Sequence, residues 1–121
     1  MTPERLMLAA GSALGFVGVA AGAFGAHALK GRVEPALLEA FETGARYNLV
    51  HAAALVAAAS AATGPLSRWA GLLFVGGTAV FSGSLYALAL TGVRGWGALT
   101  PLGGTMLLGA WLCLALAALG R

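Results

Sequence analysis

Charge is what this chain has least of. Only 9% of its 121 residues are Asp, Glu, Lys or Arg, against about a quarter in an ordinary soluble domain, and 60% are hydrophobic. With a mean hydropathy of +0.88, that balance excludes a water-soluble globule and puts the chain in a bilayer. The single cysteine, Cys113, excludes an intrachain disulfide and a cysteine metal site; set in an apolar run, it reads as a small packing residue. No Asp or Glu falls within a long apolar run, so the embedded carboxylate that couples protons to cation export is missing. The two histidines lack the H-x-x-x-H spacing of a local metal motif. No nucleophile and base pairing is legible, since the serines have no histidine at a motif spacing. These absences predict a protein that is not an enzyme and carries no cofactor and no metal.

What is present is apolar length. A bilayer core of about 30 Å needs roughly 20 apolar residues at about 1.5 Å rise each. Four runs answer to that: residues 6–29, the shorter 47–63, 69–91 and 97–120. The first has Arg5 ahead of it and Ala26 and Ala28 in an Ala-x-Ala pattern, but it exceeds the about 7–15 residues of a signal-peptide core and is read as a retained span. The expectation is one all-α membrane domain over residues 1–121, multi-pass in the cell's inner (plasma) membrane. Membrane lipids are its surroundings; a homo-oligomer or a membrane-protein partner is possible, and nucleic acid is not expected. Arg5, Arg68 and Arg121 fall on one side and Lys30, Arg32, Arg46 and Arg94 on the other, a near tie that leans the second set toward the cytoplasm and permits dual topology. Trp69 and Trp96, each beside a loop arginine, read as interface anchors.

Six of the eleven charged residues, Lys30, Arg32, Glu34, Glu39, Glu42 and Arg46, form an island bracketed by His27 and His51. Glu34 followed by Pro35 is a helix start, with proline where the first amide has no partner. Leu37, Leu38, Phe41, Ala45 and Leu49 then follow one face, and Glu39, Glu42, Thr43 and Arg46 the other. That predicts an amphipathic interfacial helix over about 35–46, between the first and second spans, running into the second with a bend near Gly44. Glu42 and Arg46 form an i, i+4 pair worth a few tenths of a kcal/mol if exposed.

Beyond the island a polar stripe enters the membrane: Thr43, Tyr47 and His51 one turn apart, with Asn48 alongside. The third span carries Thr78, Ser82 and Tyr86 in the same manner, with Ser84 on another face. Ionisable groups at this depth are candidates for a functional site, while polar groups in general also serve as interhelical glue at about 0.6 kcal/mol per hydrogen bond. A hairpin of the first two spans could bring His27, His51 and Glu42 to one membrane face. In the first span Gly11, Gly15, Gly18, Gly22 and Gly25 recur at spacings of four and three, a small-residue seam of the kind that lets helices approach in lipid. Packing within the chain and a homodimer interface are both open to it. The fourth run opens with Thr100 as N-cap and Pro101 at N1, preceded by a turn or embedded loop over 92–99. Gly103, Gly104 and Gly109 repeat the small-residue theme, and Trp111 reads as a packing or lipid-facing ring.

Four ordered motifs carry a resemblance: G-A-F-G-A-H-A-L at 22–29, F-E-T-G-A-R-Y-N-L-V-H at 41–51, F-S-G-S-L-Y at 81–86 and T-P-L-G-G at 100–104. Together they resemble domain-of-unknown-function family four-twenty-three, small bacterial inner-membrane proteins similar to a mitochondrial transmembrane family. The resemblance implies a four-span membrane protein with no established activity. Its signature falls on His27, Thr43, Gly44, Tyr47, His51, Ser82, Gly83, Ser84, Tyr86, Pro101 and Gly104. Gly83 and Gly104 thereby join the helix-packing glycines, and Asn48 stands where the family commonly has glutamine.

The expected function is that of a non-catalytic scaffold or accessory component, with a seam and an interfacial helix to recruit partners. The alternative is a small channel or transporter for protons or a small solute, with the stripe around His51 lining the path. Small multidrug exporters and fluoride channels are alike in size only. The first analogy lacks a membrane carboxylate and the second lacks the phenylalanine pair, since Phe81 has only Phe74 as a helix companion.

Overall fold

The computed structural model describes residues 1–61 and 64–120. The chain is helical almost throughout: α1 at Pro3–Phe24, α2 at Pro35–Ala61, α3 at Pro65–Thr91 and α4 at Thr100–Leu119. A π-helical turn, Gly25–Leu29, prolongs α1, and a short 3-10 helix, Arg94–Ala98, leads into α4. Among the described residues, three stretches are long and apolar enough to cross a membrane: Pro3–Leu29, Pro65–Thr91 and Arg94–Leu119. The expected end of the second span at Thr63, and Arg121 with its place in the charge count, lie outside the described residues.

Local chemistry explains where the helices begin and stop. Thr2 caps α1, its Oγ1 accepting from the Arg5 N–H at 3.2 Å, and Pro3 follows at the position that needs no donor. The π turn closes when the Lys30 N–H donates to the Gly25 carbonyl at 3.2 Å, and Gly31 at φ +82° then turns the chain toward α2. α3 ends on Gly92 in the left-handed conformation, whose N–H donates to the Leu88 carbonyl.

α2 is one continuous helix from Pro35 through Gly44 into the apolar stretch that follows. Gly44 is a contact point, where an added Cβ would lie 2.9 Å from the Tyr86 ring. Thr100 does not cap α4, because its hydroxyl is engaged with Ser84 across the helix pair at 2.6 Å.

Each helix packs along its neighbour in sequence, α1 on α2, α2 on α3 and α3 on α4, with a lighter contact between α1 and α3. Small residues set these distances, as expected where lipid supplies no hydrophobic drive to association. An added Cβ would come within 2.8 Å of Val56 at Gly11, of Leu49 at Gly18 and of Leu107 at Gly77. The α1 seam is therefore turned onto α2 within the chain, with Gly25 against Phe41 and Gly15 3.8 Å from the Ala52 Cβ. Among the described residues, Gly22 and Gly83 have no neighbour that a Cβ would meet, and Gly104 reaches only the Phe81 ring, at 3.8 Å. The main core joins Met7, Leu55, Phe74 and Leu107 with four alanines; a smaller cluster at the island end holds Leu29, Phe41 and Ala89.

Candidate functional site

His51 is the centre of what the polar stripe builds. It lies on the buried side of α2, 5% exposed, with Phe74 of α3 at 5.9 Å and Trp111 of α4 at 5.9 Å between ring centres. Its Nδ1 is 2.7 Å from the Tyr47 carbonyl one turn earlier, and its Nε2 is 3.1 Å from the Trp111 indole nitrogen. An indole N–H can only donate and a carbonyl can only accept. The ring is thereby assigned as the neutral tautomer with the proton on Nδ1, which donates to Tyr47 while Nε2 accepts from Trp111. Neither nitrogen is left over for a metal or a second acceptor.

The aromatic rings continue outward. Tyr47 is 40% exposed and packs on Phe81 at 4.4 Å, and Phe74 meets Trp111 edge-on at 5.1 Å. Between α2 and α4 this leaves a groove of about 440 Å3 that reaches Tyr47, His51, Thr105 and Trp111. Past Trp111 a second hollow of about 270 Å3 runs along the alanines of α2 toward Leu114.

The hydroxyls of Ser82, Ser84 and Tyr86 on α3 are engaged with their neighbours. Ser82 Oγ donates to the Gly44 carbonyl at 2.7 Å, which is accessible because α2 has no side chain at that position. Asn48 Nδ2 donates to the Tyr86 hydroxyl at 2.9 Å, and Ser84 bridges the Phe81 carbonyl and Thr100. Among the described residues, two buried atoms have no partner, Asn48 Oδ1 and Thr78 Oγ1.

Other expected members stand apart. His27, Glu42 and Arg46 are exposed and Thr43 is half-buried. Gly15 lies opposite Ala52, so His27, twelve residues further along α1, is about 18 Å from the level of His51 along the helix axis. The two histidines do not form a pair. Among the described residues, no group of three or more His, Cys, Asp or Glu is placed to hold a metal ion.

Trp111 is the member that sequence reasoning missed. Its indole N–H lies mid-span, where lipid offers no acceptor, and that requirement was the available signal.

A family described as Protein of unknown function (DUF423) matches residues 21–104. The chain belongs to this family. Among its relatives, a UPF0382 membrane protein of Staphylococcus haemolyticus is 38% identical over 91% of this chain and 92% of its own length. One from Staphylococcus epidermidis is 38% identical over 95% and 96%. The UPF0382 inner membrane protein YgdD of Escherichia coli is 36% identical over 96% and 91%. No solved structure matches. With its three membrane-length apolar stretches, this DUF423 chain is a multi-pass protein of the inner membrane. The matched region holds the His51 stripe and the α3 hydroxyls but stops short of Trp111, so the family's motif cannot flag the indole that completes the site.

Proposed function

We propose that this DUF423 protein is a non-catalytic scaffold or accessory component with four transmembrane spans. In this reading the first turns of α2, with Glu39, Glu42 and Arg46 exposed, lie at the interface and the rest of the helix crosses the bilayer. A helix of 27 residues extends about 40 Å, long enough for both parts. The observation that carries the functional reading is the use of the polar stripe: both nitrogens of His51, the Asn48 amide nitrogen and the hydroxyls of Ser82, Ser84 and Thr100 are committed to bonds between or within helices. Polar groups so committed hold α2, α3 and α4 together; they do not present a reactive centre.

The test is photo-crosslinking in native membranes. Gly15 and Gly18 are unsuitable positions because Gly18 already packs on Leu49, so the crosslinker belongs on outward residues such as Phe16 and Leu108, 78% and 72% exposed. A reproducible crosslinked species from one of them is the expected result; a chain recovered alone from both overturns the scaffold. A transport reading draws on the two unpartnered atoms of Asn48 and Thr78 and on the groove that exposes Tyr47. Proton or ion flux in proteoliposomes that disappears in His51→Ala would favour it.

A further inference from the structure

At the end of the molecule away from the charged island, α1 and α3 leave a groove between them. Both helices begin there, at Pro3 and Pro65, and they touch only lightly. The groove measures about 550 Å3, within the range of about 300–1,000 Å3 typical of ligand pockets. Leu6, Met7 and Ala10 form one wall and Leu72 and Val75 the other, with Met7 seated against Gly71, where an added Cβ would lie 3.2 Å from it. It follows α1 from Pro3 to Ala10 and α3 from Arg68 to Gly76, so it runs about 10–12 Å along the helices. Among the described residues that line it, Arg68 is the one that carries charge.

We propose that this groove binds an anionic phospholipid, one acyl chain lying between α1 and α3 and the phosphate on Arg68. The distribution of chemistry matches such a molecule and does not match a uniformly apolar one. The walls are hydrocarbon along their length, and the single cation stands at the end where the helices start, which is headgroup depth. Arg68 is exposed, and a planar guanidinium matches a phosphate bidentately. It lies in the first turn of α3, where the helix dipole also favours an anion. The N-cap there is Gly64, which has no side chain to accept a first-turn amide, so the helix end is not neutralised by its own cap. Glu4, the acidic residue of the neighbouring helix start, is not among the groove's lining residues.

The experiment is native mass spectrometry of the full chain in neutral detergent, titrated with phosphatidylglycerol and with phosphatidylcholine of the same acyl chains. The expected result is a one-to-one complex in which the anionic lipid binds about tenfold tighter, the worth of a charge-assisted hydrogen bond. Arg68→Gln lowers the anionic lipid to the level of the zwitterionic one, Arg94→Gln at the opposite end leaves the preference intact, and Leu72→Trp, which fills the groove from an exposed wall, weakens both. Equal affinity for the two lipids in the unaltered protein overturns the proposal, which keeps the test valid if a variant misfolds. So does a preference that survives Arg68→Gln, or a mass of two chains without lipid, which would make a second copy the occupant.

Discussion

Adjacent glycines on α4 allow a matched test of how this bundle is held. An added Cβ at Gly103 would press on the Phe81 backbone nitrogen and lie 2.7 Å from the Phe81 Cα, whereas one at Gly104 would sit 3.8 Å from the Phe81 ring. Backbone cannot move aside as a side-chain end can, so Gly103→Ala forces α4 away from α3. Overpacking of this kind costs about 1–3 kcal/mol. The Ser84–Thr100 hydrogen bond, one turn away, is lost as well, at about 0.6 kcal/mol in a membrane protein. Both variants recover about 0.8–1 kcal/mol of helix propensity. The net expectation is a loss of about 1–3 kcal/mol for Gly103→Ala and a gain of up to about 1 kcal/mol for Gly104→Ala. Denaturation in mixed micelles, followed by near-ultraviolet circular dichroism, measures both. If the two variants are equally stable, backbone contact at Gly103 does not set the α3–α4 distance and the packing argument fails.

Other perturbations probe the polar network. Trp111→Phe keeps a ring but removes the indole donor; it should cost about 0.6–1.7 kcal/mol, and nitrogen-15 spectra of His51 should show the Nε2 resonance losing its hydrogen-bond shift while Nδ1, still donating to Tyr47, keeps the proton. Thr78→Val removes a buried hydroxyl that has no partner among the described residues, so micelle denaturation should find it neutral or up to about 1 kcal/mol stabilising. Ser82→Ala breaks the bond to the Gly44 carbonyl and should destabilise by about 0.6–1.7 kcal/mol in the same assay; the reverse order of these two would refute the assigned partners. His27→Gln, at an exposed site distant from His51, should leave stability within about 0.5 kcal/mol.

Much of the site was legible because lipid is an unforgiving solvent for polar groups. Tyr47, Asn48, His51, Ser82, Ser84 and Tyr86 were conspicuous as polar residues among hydrocarbon, and the structure brings all six into the α2–α4 layer. His27 and Glu42 were conspicuous for the same reason, yet they are exposed beyond the layer. Periodicity reports a residue's direction around its own helix and says nothing of its height against the next one. Thr100 shows the related limit: its local pattern is that of a cap, and a better partner on another helix claims the hydroxyl.

The sequence by itself determined the solvent, the helical class and the helix starts at Pro35 and near Pro101, because composition, run length and the missing proline donor act locally. Family membership was also readable in short ordered motifs. Only the tertiary structure decided that the α1 glycines turn onto α2, that Gly44 admits the Tyr86 ring, and that His51 is held between Tyr47 and Trp111. Each of those depends on the relative height and rotation of two helices. Side-chain packing and hydrogen bonds between distant positions set that register, and no local pattern encodes it.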